Sequence, residues 1–269
     1  MSTPTAPPVS EPSDTRSLSY AAFAVIVVIY LGIIQLGGIA VQHIGDHEDS
    51  FATTEGVLWN LWIPIGGALI YTYAVIAVLG WWRPVLREPN RVRSWVYVVP
   101  IVFVVCSLLA IDYSALGDKT VGYVLVLFLA TQMVGWGEEG MFRGIGVTTL
   151  RAHGLSEGKV ALWSSIVFGA VHLTNAIGHG AQALPQALAV SFAGYFFYLT
   201  RRVSGGNALN SVVHGLFDFS ILTGTVILVD QDPYVGSAFA ILAYVVVAVV
   251  LLVRRHSIEL PQKDPTFTS

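Results

Sequence analysis

A chain of 269 residues of which 54% are hydrophobic and only 12% charged cannot cover a water-facing surface, because soluble domains carry roughly 25% charged residues. Lipid is therefore the expected solvent for much of it, and a formal net charge of −3 gives no reason to expect a nucleic-acid partner. The single cysteine, Cys106, rules out an intrachain disulfide and offers no cysteine-based metal site.

Residues 1–16 are rich in Pro, Ser and Thr and read as a disordered tail. The first apolar run, from about Leu18 to Val41, follows a single basic residue, Arg16. It is also longer than the apolar region of a signal peptide, so it is expected to stay as a membrane helix. Further runs cover Val57 to Leu79, Trp95 to Ile111, and Val121 to about Leu150, the last interrupted by charge. Then come Val160 to Ile177, Ala183 to Leu199, Ala208 to Val229 and Val235 to Val253. A spanning helix needs roughly 20 apolar residues. The expectation is an all-α, polytopic bundle of about eight spans over 17–254, with a C-terminal tail at 255–269. No loop is long enough for a second domain.

The connections alternate in charge. Arg83, Arg87, Arg91 and Arg93 lie between the second and third runs, Arg151 and Lys159 between the fourth and fifth, Arg201 and Arg202 between the sixth and seventh, and Arg254 and Arg255 after the eighth. The opposite connections carry Asp46, Glu48, Asp49, Glu55, Asp118, Asp230 and Asp232, with Lys119 their only basic residue. Basic loops stay in the cytoplasm, so both termini are expected there, which requires an even span count. Trp59, Trp62, Trp81, Trp82 and Trp95 fall near span ends, as interfacial aromatics do. The expected location is the cell membrane.

Ionisable residues inside apolar runs are costly and mark function by default. Glu139 and Arg143 in the fourth run are spaced i,i+4 and share a helical face; Glu138 is rotated by about 100° and points elsewhere. His172 stands in the fifth run; a lone His there is more often a packing residue than a ligand. His214 and Asp218 share a face of the seventh run, and Asn210 extends the same polar stripe. His179, between Gly178 and Gly180, is expected in water and carries no chemistry. With a rise of 1.5 Å per residue, Glu138 and His172 lie about 18 Å from the cytoplasmic ends of their runs, Asp218 about 16 Å and His214 about 10 Å. One layer in the cytoplasmic half to midplane of the bilayer is expected. Three separate helices placing acid and imidazole at similar depth is more than packing requires.

Two histidines and one or two carboxylates fit a zinc site with an open coordination position, with His172, His214 and Glu138 as ligands. They equally fit a metal-free scheme in which Glu138 is the general base, His172 orients the water, and His214 and residue 218 face the oxyanion. An ionised Asp218 repels an oxyanion, so it must be protonated, orient His214 or bind a metal. No Ser-His-Asp arrangement and no HExxH motif are present. A proton-coupled transporter is a competing reading, although no paired halves are evident. A non-catalytic immunity or binding protein on the same scaffold is another.

At these residues the sequence resembles a known family. Glu138-Glu139-x-x-x-Arg143, Phe168-x-x-x-His172 and His214-x-x-x-Asp218 are similar to the EExxxR, FxxxH and HxxxN/D motifs of the CPBP family of CAAX prenyl endopeptidases and bacteriocin-processing proteins, also called Abi proteins. The motifs lie within a core of about 121–229. The resemblance implies an intramembrane endopeptidase, of a family described as metalloproteases, acting on a membrane-associated peptide or protein, prenylated in the CAAX case. It makes Glu138 the catalytic glutamate, with His172, His214 and Asp218 completing the site and Glu139 and Arg143 supporting it.

Overall fold

The computed structural model describes residues 17–45 and 51–260. The expected N-terminal tail, the acidic residues Asp46, Glu48 and Asp49, residues 261–269 and the side chain of His179 lie outside the described residues. The described chain is all-α apart from two isolated bridges. Helix α1 is Tyr20–Gly45, α2 is Thr54–Leu79, α3 is Ser94–Ala110 and α4 is Val121–Ala152. Helix α5 is Glu157–Val171, α6 is Ala183–Ser204, α7 is Ala208–Thr223 and α8 is Val235–Val253. Among the described residues five helices, α1, α2, α4, α6 and α8, are long and apolar enough to cross a membrane. That property, together with outward-facing residues such as Ile70, Val78, Leu125 and Phe239, marks a multi-pass helical membrane protein.

Local chemistry sets several helix ends. The Thr53 hydroxyl accepts from the Gly56 amide at the start of α2, and the Thr120 hydroxyl from the Tyr123 amide at the start of α4; both satisfy donors that a first turn leaves free. Gly80 at φ 69° closes α2 and Gly205 at φ 84° follows α6, left-handed positions that favour glycine. Two expected boundaries move. The fifth run leaves α-helical geometry at Val171 and continues as a tighter turn over His172–Asn175. The seventh stops at Thr223 rather than Val229, because the Gln231 side chain accepts from the Ile227 and Leu228 amides and holds the chain in a turn.

The core is aromatic where α3, α6, α7 and α8 meet. The Phe103 ring lies 5.0 Å from Phe197, 4.7 Å from Phe217 and 5.5 Å from both Phe196 and Tyr244. Such pairs contribute roughly 0.5–1.5 kcal/mol each beyond their buried area, and this cluster forms the floor under the polar centre. Helix α4 approaches α7 so closely that a Cβ on Gly135 would stand 2.3 Å from the Ser211 carbonyl oxygen and 2.7 Å from the Gly215 nitrogen. Small residues at a crossing are how helices meet where lipid removes the hydrophobic drive.

Candidate active site

The polar centre begins where α4 changes pitch. From Glu139 to Gly146 the backbone widens into a π-helical segment, Glu-Gly-Met-Phe-Arg-Gly-Ile-Gly, with every residue buried. Such insertions are rare and concentrate at functional sites. Glu139, fully buried, accepts from three donors on two helices. The Arg143 guanidinium donates at 3.0 Å, His214 Nδ1 donates at 2.8 Å, and Asn210 Nδ2 donates to the other carboxylate oxygen. Sequence spacing gave Glu139 only Arg143 as partner. In the structure Glu139 is the hub that fixes the His214 ring.

Phe168 covers this hub. The Arg143 guanidinium carbon lies 3.8 Å from the Phe168 ring centre and 5.3 Å from that of Phe197. Aromatic faces attract a cation, more strongly when it is desolvated, and here they cover the parts of Arg143 that Glu139 does not reach. Phe168 also meets His172 and His214 edge-on at 4.9 and 5.8 Å. Phe197, from α6, stacks on His214 at 4.3 Å and 18°. Imidazole, guanidinium and carboxylate are thus locked from all sides.

On the other side of His214 lie the two remaining carboxylates. Its Nε2 is 3.4 Å from Asp218 Oδ2 and 3.7 Å from Glu138 Oε2. Among the described residues neither oxygen has a hydrogen-bond partner, although both are buried. A buried acceptor without a partner is uncommon and calls for a reason. His172 Nδ1 lies 2.7 Å from the Phe168 carbonyl oxygen. A carbonyl only accepts, so Nδ1 carries the hydrogen and Nε2 is left free. Glu138 and His172 line one cavity of about 170 Å³, together with Tyr30, Gln35, Phe142 and Asn175.

The structure therefore brings Glu138, His172, His214, Asp218, Glu139, Arg143 and Asn210 into one centre. Sequence reasoning missed Tyr30 and Phe197, because an aromatic in an apolar run carries no mark that separates site from packing. The donors are of the kind zinc accepts, yet among the described residues no three His, Cys, Asp or Glu side chains group as a metal-ion site.

The centre is thus a buried acid–imidazole group set among helices with outward-facing apolar residues. Residues 120–220 match the family model described as type II CAAX prenyl endopeptidase Rce1-like. No curated protein and no solved structure matches the chain.

Proposed function

We propose that the protein is an intramembrane endopeptidase in which Glu138 activates water against a peptide bond. One observation carries the reading. Glu138 and His172, from different segments, line one cavity, and a buried Glu138 carboxylate oxygen has no hydrogen-bond partner among the described residues. A volume of about 170 Å³ holds several waters at roughly 30 Å³ each.

The steps use the chain's own residues. Water donates one hydrogen bond to the Glu138 carboxylate and one to His172 Nε2, which turns its lone pair toward the scissile carbonyl. Glu138 takes the proton as the oxygen–carbon bond forms, and later gives it to the amine nitrogen as the carbon–nitrogen bond breaks. His214 is held by Glu139 at Nδ1 with Nε2 turned toward Glu138 and Asp218, and an N–H at Nε2 would donate to the developing negative charge. Asp218 closes the far side of that ring and orients it. The substrate is a membrane-associated peptide or protein, and a prenylated C-terminal peptide is the first to try. These steps need no metal; if one is bound, Glu138, His172 and His214 would be the residues to hold it.

Glu138→Gln keeps the volume and removes the base. With a farnesylated fluorogenic peptide and protein in vesicles, turnover should fall by at least about 10²-fold with an unchanged melting temperature. Wild-type turnover by this variant would remove Glu138 from the mechanism. Verified metal removal by a chelator should leave turnover intact. Loss that zinc restores would replace this scheme with a metal-dependent one, and no turnover alongside substrate transport would favour a carrier.

A further inference from the structure

Hydrolysis needs a hydrogen-bond donor where the carbonyl oxygen becomes an oxyanion. An amide at position 218 would offer N–H groups, but an ionised Asp218 only accepts. The walls of the cavity offer a neutral donor from α1. Tyr30 lines the same cavity as Glu138 and His172 and is only 2% exposed. Its hydroxyl oxygen would stand 3.5 Å from a Cβ on Gly137, so the phenol rests against the backbone one residue before Glu138. The Glu138, Glu139 and Asp218 carboxylates all lie within electrostatic reach of it. The ring is set edge-on to Phe142 at 6.1 Å and 89°, which fixes its direction. None of the side-chain hydrogen bonds among the described residues has the Tyr30 hydroxyl as its donor.

A buried phenol with a free O–H beside the general base has a use only if something arrives to accept. We propose that Tyr30 is a second oxyanion donor of this site beside His214: its O–H donates to the scissile carbonyl oxygen as water adds. The proton stays on the phenol, and only the hydrogen bond strengthens. This rests on the endopeptidase reading.

The test is Tyr30→Phe in the full chain in vesicles, with the same farnesylated peptide. Loss of one oxyanion donor lowers kcat by about 10²–10³-fold. KM and melting temperature should stay at the wild-type values, because the phenol has no other partner. A kcat equal to wild type overturns the assignment. If the variant instead melts early, kcat per folded molecule well below its melting temperature decides, and a wild-type kcat there overturns the proposal. A folded wild-type protein that cleaves nothing sinks this assignment together with the protease reading. A wild type that cleaves, with Glu138→Gln inactive and Tyr30→Phe unaffected, sinks the Tyr30 assignment alone.

Discussion

Glu139 accepts from Arg143, Asn210 and His214, which accounts for a carboxylate buried with 0% exposure beside an arginine buried to the same degree. Breaking such a pair leaves an uncompensated charge and costs about 3–5 kcal/mol. Arg143→Ala should therefore lower the melting temperature in detergent sharply. Arg143→Lys should not restore it, because a compact ammonium cannot stack between Phe168 and Phe197 as a planar guanidinium does. Thermal unfolding of both variants checks this, and a lysine variant as stable as wild type would show that charge alone suffices. The pairing of Glu139 with Arg143 was legible from i,i+4 spacing, and Glu138, His172, His214 and Asp218 from the cost of charge in apolar runs. The bond from His214 to Glu139 was not legible. It depends on the register between α4 and α7, which no spacing within one helix encodes.

That register is set at the crossing of α4 and α7. The Gly135 Cα faces the Ser211 carbonyl and the Gly215 nitrogen, both backbone groups that cannot rotate away. Gly135→Ala should push the helices apart at a cost of about 1–3 kcal/mol or more. Glu139 lies one turn from this contact, so the bonds to His214 and Asn210 lengthen with it. Turnover should fall further than stability alone explains. The check is activity of the folded fraction at a temperature well below melting; activity at the wild-type level there would uncouple the crossing from the site. The apolar runs located the longer helices, and among the described residues five of these are long and apolar enough to cross a membrane. The π-helical segment at Glu139–Gly146 and the tight turn at His172–Asn175 were hidden. Both are tertiary choices: the first turns Glu139 and Arg143 inward together, and the second directs His172 into the cavity.

Across the molecule the charged connections gather at two ends. At one end Glu88 binds Arg151 at 2.9 Å and Arg201 at 2.8 Å, Arg202 binds Glu259 at 2.7 Å, and the Arg93 amide donates to the Ile258 carbonyl. The Tyr20 ring stacks on His153 at 4.0 Å, which brings the start of α1 to this same end. At the other end Lys119 donates to the Ala52 carbonyl at 2.6 Å, and Gln231 reaches Asp112. The arginines that sequence treated as loop charges thus form an ionic layer, and the alternation of charge along the chain is also a separation in space. Helices α5 and α7, of 15 and 16 residues, are about 23 Å long at 1.5 Å per residue, short of a hydrocarbon core of roughly 30 Å. His214 lies within α7, and His172 stands one residue beyond the end of α5. If basic loops are retained in the cytoplasm, single cysteines at exposed Arg91 and Arg255, in a Cys106→Ala background, should both react with an impermeant maleimide from the cytoplasmic side alone. Cysteines at exposed Asp118 and Asp232 should react only from the opposite side. Labelling of Arg91→Cys and Arg255→Cys from different sides would break the even-numbered topology, and reaction of all four from one side would place both ends of the bundle in the same compartment.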